Sequence, residues 1–532
     1  HKLLTFLACA IPVWPYYTQK IISIPEHAPP DAGVPLDSFV SFSIEFSYFP
    51  DFAGNLSHPN TFSNNLLENI AKHSGSKPLV RVGGSSQDNA IFDASQEQAV
   101  ILNFASPTDD QPANLTFGPK YFESYHTWPK TSFIHGFNLK ANTSENHAAL
   151  LESAKYACHS LGDQLYAWEL GNEPDLYHVL AARPTSYDEI AYVAEWHNLT
   201  RAIESTVEAA CPNLEVNERA GWYAPSFAAA PALSTLDQVV AWDEGLNSDE
   251  SLKEYAAHHY QAVATDPGIT LRGTLMNHTA TIASVDYLLN ISSLVHGSTA
   301  HPYPRDLPFI LGEGNSLARQ GRPGLSNTFG AALWGVDANL LLASHNVSRF
   351  HMHQGTNYRY QSWQPFETNR ATKGTKPPYY GNIAVAAFLG DLTKSADRPQ
   401  VINLPQSSET RAAYAAYVHG KLRKIMLLNL QDYNSTAENE YMDSSQPRGS
   451  QSFELQLPRS ISGRSVKLQR LIANGSDAIS GVTFDGYSFN YELDNGKPVL
   501  LPNVTRGEAR MVSRWGLLNV EVLDSSAVLV SI

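Results

Sequence analysis

The chain has 532 residues, of which 43% are apolar and 17% charged, so it holds material for a large core and is not a disordered protein. Acidic side chains outnumber basic ones, 52 to 37, and the resulting net charge of −15 disfavours nucleic acid and any polyanion held by overall charge alone. Three cysteines exclude a disulfide scaffold and a Cys-rich zinc module, and no apolar run reaches the ~18 residues of a membrane span.

The first ten residues carry a cation, an apolar stretch and Ala8-Cys9-Ala10, which resembles a secretory signal with a small-residue cleavage site. The alternative is an ordinary buried strand. Sequons at Asn55, Asn114, Asn142, Asn198, Asn277, Asn290, Asn346, Asn434, Asn474 and Asn503 favour a secreted, N-glycosylated protein. If Cys9 leaves with a signal, Cys158 and Cys211 remain as an even pair near the ends of two helical stretches. A disulfide and two buried thiols are both open.

Residues 1–35 form an N-terminal segment, with Lys20–Ile24 as a short strand before a Pro-rich stretch, Pro25 to Pro35. From 36 to 392, β-rich runs alternate with helical patterns. The runs are Phe39–Phe49, Leu79–Gly84, Ser132–Asn138, Gln164–Asn172, Leu214–Arg219, Tyr255–Tyr260, Phe309–Gly314 and Arg349–Gln354. Helices are predicted over Asn142–Leu161, Tyr187–Ala210, Ser326–Ser344 and Tyr380–Leu389 from apolar residues at i, i+3 and i+4 or from Ala/Leu-rich composition. Eight such units predict a (β/α)8 barrel. The runner-up, an open doubly wound sheet, lacks a Gly-x-Gly-x-x-Gly after its first strand. From 393 to 532 the helical period disappears. Arg411–His419, Leu422–Leu430, Ser452–Leu457, Ser465–Ile472 and Ala527–Ile532 read as strands separated by Asn/Asp-Gly turns, which predicts a β-sandwich that Lys20–Ile24 could complete.

The sharpest local signal is Trp168-Glu169-Leu170-Gly171-Asn172-Glu173-Pro174, at the C-terminal end of the fourth run, where barrel active sites sit. The second is Ile310-Leu311-Gly312-Glu313-Gly314-Asn315, ending the seventh. Glu173 and Glu313 then face each other across the barrel mouth. Glycoside hydrolysis needs such a pair, one to protonate the leaving oxygen and one to attack or activate water. A lone glutamate after a strand is commonly a loop charge or a helix cap, but two in these contexts are not explained that way.

The heptapeptide, Arg81-Val82-Gly83-Gly84-Ser85-Ser86 on the second run and Glu313 on the seventh resemble clan A of the glycoside hydrolases, and within it family 79, the heparanase and β-glucuronidase family. The resemblance spans nearly the whole chain. It implies a retaining β-glucuronidase with Glu173 as acid/base and Glu313 as nucleophile. It places Asn172 at the sugar 2-hydroxyl, Tyr260 beside the nucleophile, and tyrosines of the last barrel loops at the uronate carboxylate. Tyr358 and Tyr360 fill that position; Arg319 and Arg322 are the alternative clamp. Arg81 is expected under Glu313 as its counter-ion, while Glu45, Gly84, Ser85 and His353 are expected to line the sugar site. His351 and His353 could be read as metal ligands, but no third ligand has a suggestive spacing and this chemistry needs no metal; no cofactor is expected.

The favoured reading is a monomeric, secreted exo-enzyme that removes terminal glucuronic acid, 4-O-methylated or not, from glycans or small glucuronides. No nucleic-acid or membrane partner is expected. Rivals are another clan A hydrolase (an arabinofuranosidase or xylan-active enzyme), an endo-acting heparanase-like enzyme, disfavoured by the acidic balance, and a non-catalytic carbohydrate-binding protein, disfavoured because both glutamates and Asn172 are intact.

Overall fold

The structure is a computed structural model that describes residues 21–214, 221–230, 232–436 and 447–532. Eight parallel strands close into a barrel: β1 (Val40–Glu45), β2 (Val80–Gly83), β3 (Phe133–Phe137), β4 (Leu165–Leu170), β5 (Gly221–Phe227), β6 (Leu252–Val263), β7 (Phe309–Ala318) and β8 (Phe350–Gln354). The crossover helices are α1 (Thr61–Ser74), α2 (Ser144–Leu161), α3 (Glu189–Ala210), α4 (Gln238–Asp243), α5 (His278–His296), α6 (Phe329–Ser344) and α7 (Pro377–Leu389). Between β2 and β3 the crossover is made by 3-10 turns over Pro119–Thr127 instead.

Strand alternation builds the two layers of this barrel. On β1, Phe42 and Ile44 point outward to the helices, while Ser43 and Glu45 point inward. Low in the barrel, Leu79, Ile134, Ala167, Tyr223, Ala256 and Ile310 form a separate apolar plug. The inward positions above it are polar: Ser43, Arg81, Glu169, Glu313 and His353, all buried. The plug excludes water from below, so the charges of the upper layer must satisfy one another.

The fifth strand differs from the sequence expectation. Residues 215–219 of the predicted run Leu214–Arg219 lie outside the described residues, and the barrel strand is Gly221–Phe227. Pro225 within it breaks the strand signature, since proline cannot donate to a ladder. The first run is shorter than expected: β1 stops at Glu45 and the chain turns into 3-10 and helical geometry through Phe46–Ala53, where Pro50 stands. Cys158, near the end of α2, and Cys211, just after α3, are joined by a disulfide.

The C-terminal part contains β9 (Gln400–Asn403), β10 (Arg411–Val418), β11 (Lys421–Asn429), β12 (Ser450–Gln456), β13 (Ser465–Ile472), β14 (Leu517–Leu523) and β15 (Ser526–Ser531). β9, β10, β11, β15 and β13 run in that order through a sheet that meets the barrel helices, and β12 and β14 form the outer sheet. Ile22–Ser23 adds a parallel strand to β12, with Ile22 opposite Leu455. The inner sheet is buried on both faces. Ala412, Tyr414 and Ala416 of β10 join the barrel's core, whereas Ala413, Ala415 and Tyr417 join the sandwich core with Phe453, Leu455, Val520 and Val522. That is why β10 reads as a continuous apolar run. β14 was missed in the sequence, although Leu518, Val520 and Val522 alternate with exposed neighbours.

A buried charge pair joins the two parts. His278 Nδ1, at the start of α5, lies 3.0 Å from Asp337 Oδ2 of α6, and the Tyr414 hydroxyl of β10 donates to Asp337 Oδ1 at 2.6 Å. Burial opposes the His278 charge, but the Asp337 carboxylate outweighs it and raises the imidazole above its usual value. A raised histidine stabilises fully below the unfolded value of about 6.5 and progressively less as pH rises through the folded one. Thermal melts between pH 6 and 8 should therefore show a falling midpoint, and Asp337→Asn should lower the midpoint at pH 6 and flatten that fall.

Candidate active site

Arg81 organises the upper barrel. It is fully buried and donates from Nε to Glu169 Oε2 (2.8 Å), from Nη1 to Ser43 Oγ (2.9 Å) and Glu313 Oε2 (2.6 Å), and from Nη2 to Asn172 Oδ1 (2.8 Å). A guanidinium only donates, so the Asn172 oxygen must face it and the Asn172 amide nitrogen is turned away from it. Asn172 is further held by its backbone N–H, which donates to Asp88 Oδ2 at 3.0 Å. The Tyr177 hydroxyl donates to the same oxygen at 2.6 Å.

Glu173 follows at φ 52°, ψ 53°, a left-handed conformation unusual for a residue with a side chain. Its N–H donates to Ser226 O at 2.9 Å, which ties the end of β4 to β5. His258 Nδ1 of β6 lies 3.1 Å from Glu173 Oε1. Across the mouth, Glu313 accepts from the Tyr260 hydroxyl at 2.7 Å through Oε1 and from Arg81 through Oε2. One oxygen from each glutamate and a ring nitrogen of His258 all lie within 4.8 Å of one another.

Environment separates the two carboxyls. For Glu173, burial and then the Glu313 charge push the carboxyl up to about 8, so it is protonated at neutral pH. Glu313 is the more deeply buried of the two, but the charges of His353 and Arg81 and the Tyr260 hydroxyl hold it well below the usual carboxylate range. His258 is pushed down to about 4 by burial and is neutral at pH 7. One carboxylic acid and one carboxylate thus face a common space. Among the described residues this is the one grouping of three potential metal ligands. With Glu173 protonated and Glu313 already holding an arginine and a tyrosine, the arrangement suits proton transfer and nucleophilic attack better than ligation. His351 and His353 do not converge on a shared point: His351 faces Phe42 O at 3.4 Å, while His353 reaches Ser43 and Glu45.

The remaining predicted residues divide. Glu45 is fully buried and saturated. Its Oε1 accepts from Ser86 N (2.7 Å) and Ser86 Oγ (2.5 Å), and its Oε2 faces Gln111 Nε2 (2.9 Å), His353 Nε2 (3.2 Å) and the Tyr358 hydroxyl (3.0 Å). A sugar hydroxyl reaching Glu45 must displace one of these, and only Gln111 among them is partly exposed. His353 stands between Glu45 and Glu313, 3.5 Å from Glu313 Oε2, and although burial opposes its charge, the two carboxylates raise it. Gly84 has φ +84°, and a Cβ there would meet Glu45 Oε1 at 2.8 Å and His353 Cε1 at 2.9 Å, so this loop can cross the site only as glycine. Ser85 is exposed; the bonds to Glu45 belong to Ser86. Tyr358 and Tyr360 pack edge to face at 5.6 Å, and Tyr360 lies 6.1 Å from Tyr260. Tyr358 commits its proton to Glu45, whereas no such bond holds Tyr360 to a carboxylate. Arg322 turns away, donating to Ala264 O at 2.6 Å and Asp266 O at 2.8 Å, and Arg319 is exposed.

Sequence reasoning passed over Ser43, Glu169, Ser86, Gln111 and His258. Period-two alternation offered a signal for three of them: Ser43 shares a face with Glu45, His258 with Tyr260, and Glu169 lies between outward Trp168 and Leu170.

The region 413–529 matches the model of the glycosyl hydrolase family 79 C-terminal beta domain. The chain is 49% identical over 519 residues to a β-glucuronidase of Aspergillus niger, covering 96% of this chain and 94% of that one. It is 48% identical over 511 residues to a β-glucuronidase of Neurospora crassa, with 91% and 90% covered. The crystal structure of a 4-O-α-L-rhamnosyl-β-D-glucuronidase from Fusarium oxysporum superposes with a TM-score of 0.76 at 24% identity, covering 96% of this chain and all of that one, a likeness of fold.

If Arg81 carries the site, Arg81→Gln leaves Glu169 and Glu313 buried without their cation. A loss of about 3–5 kcal/mol in chemical unfolding is expected. A depressed carboxyl stabilises above its unfolded value and loses that contribution as pH falls through the folded one. The variant's deficit should therefore be large at pH 7 and shrink towards pH 3.

Proposed function

The chain belongs to the β-glucuronidase family of glycoside hydrolases, family 79, and on that premise we propose that it is a retaining exo-β-glucuronidase. The observation that carries the mechanism is the approach of Glu173 and Glu313 to within 4.8 Å. Retaining enzymes hold their carboxyls ~5–5.5 Å apart, whereas inverting ones leave ~6.5–9.5 Å for a water. Glu313, ionised and aimed by Arg81 and Tyr260, attacks the anomeric carbon. Glu173 gives its proton to the leaving oxygen. Forming the glycosyl ester removes the Glu313 charge, one of the causes that raise Glu173, so Glu173 becomes a stronger acid and then serves as base towards water. The Asn172 amide, turned away from Arg81, is the donor for the 2-hydroxyl.

Exo action is supported by the wall opposite Glu173. In an eight-stranded barrel β4 faces β8, so a sugar whose leaving group lies at Glu173 extends towards β8 and β1. There Gln111 reaches Glu45, and its neighbour Asp110 pairs with Arg359 (2.7 Å) and Arg370 (3.0 Å) of the loop after β8. Contacts in this place support a subsite that takes one terminal sugar rather than a longer glycone. For the uronate carboxylate, Tyr360 is the better receptor, because Tyr358 spends its proton on Glu45. Secretion is supported by the disulfide and by the sequons: Asn434 is buried and Asn277 caps α5, but the other sequon asparagines are exposed. The aglycone, a glycan or a small conjugate, and tolerance of a 4-O-methyl group belong to the same reading as open substrate choices.

Tests follow from the roles. With nitrophenyl β-glucuronide, Glu173→Ala should keep glycosylation and be accelerated by azide, while Glu313→Gln should lose turnover by several orders of magnitude; near-normal rates in Glu313→Gln would overturn the assignment. The alkaline limb of kcat/KM should fall as pH rises through about 8, where Glu173 loses its proton. Tyr360→Phe should erode the preference for glucuronide over glucoside, which unpaired buried donors can set at ~10⁴-fold, more than Tyr358→Phe does. Equal rates of the wild type on both sugars would return the general clan A reading.

A further inference from the structure

One end of the sandwich, where the chain passes from the inner to the outer sheet, carries a feature the active site does not use. The strand Glu508–Met511, paired to β13, and β14, paired to β12, are joined by a tight turn with Trp515 at its tip, 69% exposed and the one exposed tryptophan among the described residues. The tip is built rather than loose. Ser513 N–H donates to Leu517 O at 2.9 Å, Leu517 N–H to Ser513 Oγ at 2.9 Å, and Gln456 Nε2 to Trp515 O at 2.9 Å. The Arg514 guanidinium lies 4.7 Å from the centre of the indole and backs one face, leaving the other to solvent. Met511 (65% exposed) and Leu517 (41%) stand at the two strand ends that the turn joins.

Four further cations stand on the strands and turns next to this tip. The backbones of Arg464 and Val512 pair at 2.9 Å, and Leu457, two residues before Arg459, bonds Gly516 at 2.9 Å. Arg510 sits opposite Val466, and Lys467 opposite Ala509. All five cations are exposed. Arg510 lies 3.6 Å from Glu508, while Arg459, Arg464, Lys467 and Arg514 make no ion pair among the described residues. On a chain of net charge −15, such a group is a local reversal of sign.

We propose that this face docks an acidic polysaccharide, a polymer of uronic acid residues, apart from the pocket that cleaves. The flat C–H faces of pyranose rings stack on an open indole, and arginines take carboxylates bidentately, so the two elements together recognise a sugar that is also an acid. Several cations on the elements next to one aromatic plate favour a chain over a single residue, because successive carboxylates bind from one tethered ligand. The inference goes beyond the catalytic reading, and it is tested by binding without turnover.

The measurement is native electrophoresis in gels cast with polygalacturonate, beside gels cast with neutral dextran. Wild type should be retarded only by polygalacturonate. Trp515→Ala and the double variant Arg464→Gln/Arg514→Gln should each weaken binding about tenfold, with kcat/KM on nitrophenyl β-glucuronide unchanged and Trp515→Phe retaining most of the retardation. Equal mobility of the wild type in both gels, or retardation that survives both variants, would overturn the proposal. So would equally tight binding of single-stranded DNA, which would make the face a general polyanion surface, or a dimer in sedimentation that Trp515→Ala dissolves, which would make it a self-association surface. Retardation without turnover of the glucuronide would uphold this proposal and count against the catalytic reading alone.

Discussion

The structure depends on one buried guanidinium. Arg81 is fully buried, with the apolar plug beneath it. Its solvation comes from Ser43, Glu169, Asn172 and Glu313 on three neighbouring or opposing walls of the barrel. A planar fork fixes the direction of each of those bonds, so the group that neutralises the carboxylates also aims them. A lysine in its place would supply the charge without the fork. Glu169, itself buried, completes the arrangement by taking a proton bond from Ser226 on β5 at 2.6 Å, next to the carbonyl that holds the Glu173 backbone.

From that arrangement follows the division of labour between two chemically identical side chains. Glu313 is buried and Glu173 largely so, and burial pushes both towards the neutral acid. Of the two, Arg81 and Tyr260 touch only Glu313, so Glu313 carries the charge, and that charge adds to burial in keeping the proton on Glu173. The two states are coupled: whatever neutralises Glu313 weakens the hold of Glu173 on its proton. A double displacement needs an acid in its first step and a base in its second, and the coupling supplies both from one residue.

Much of this was legible in the sequence because barrel geometry converts position along a strand into position in space. A residue at the C-terminal end of a β-run is at the mouth, and Asn172, Glu173, Tyr260 and Glu313 all stand at or near such ends. Alternation also carried Ser43, Glu169 and His258, although they were not read from it. What the sequence could not disclose depends on loops and on competition for protons. Gln111 meets Glu45 from a crossover 66 positions away, with no periodicity to announce it. Tyr358 and Tyr360 look equivalent in the chain, and only the bond from Tyr358 to Glu45 separates them. Strand β5 was hidden by Pro225, whereas β10, buried on both faces, was still read as a strand from its continuous apolar run and its flanking turns.

The central claim is a covalent glycosyl intermediate on Glu313 followed by general-base attack from the same face. The stereochemistry of hydrolysis tests it most directly. Proton NMR of an aryl β-glucuronide in the first minutes of reaction, before mutarotation, should show β-glucuronic acid as the first-formed product, with the α-anomer appearing only later. An α-anomer formed first would contradict the account, because it would require a water between carboxyls that lie too close together to admit one.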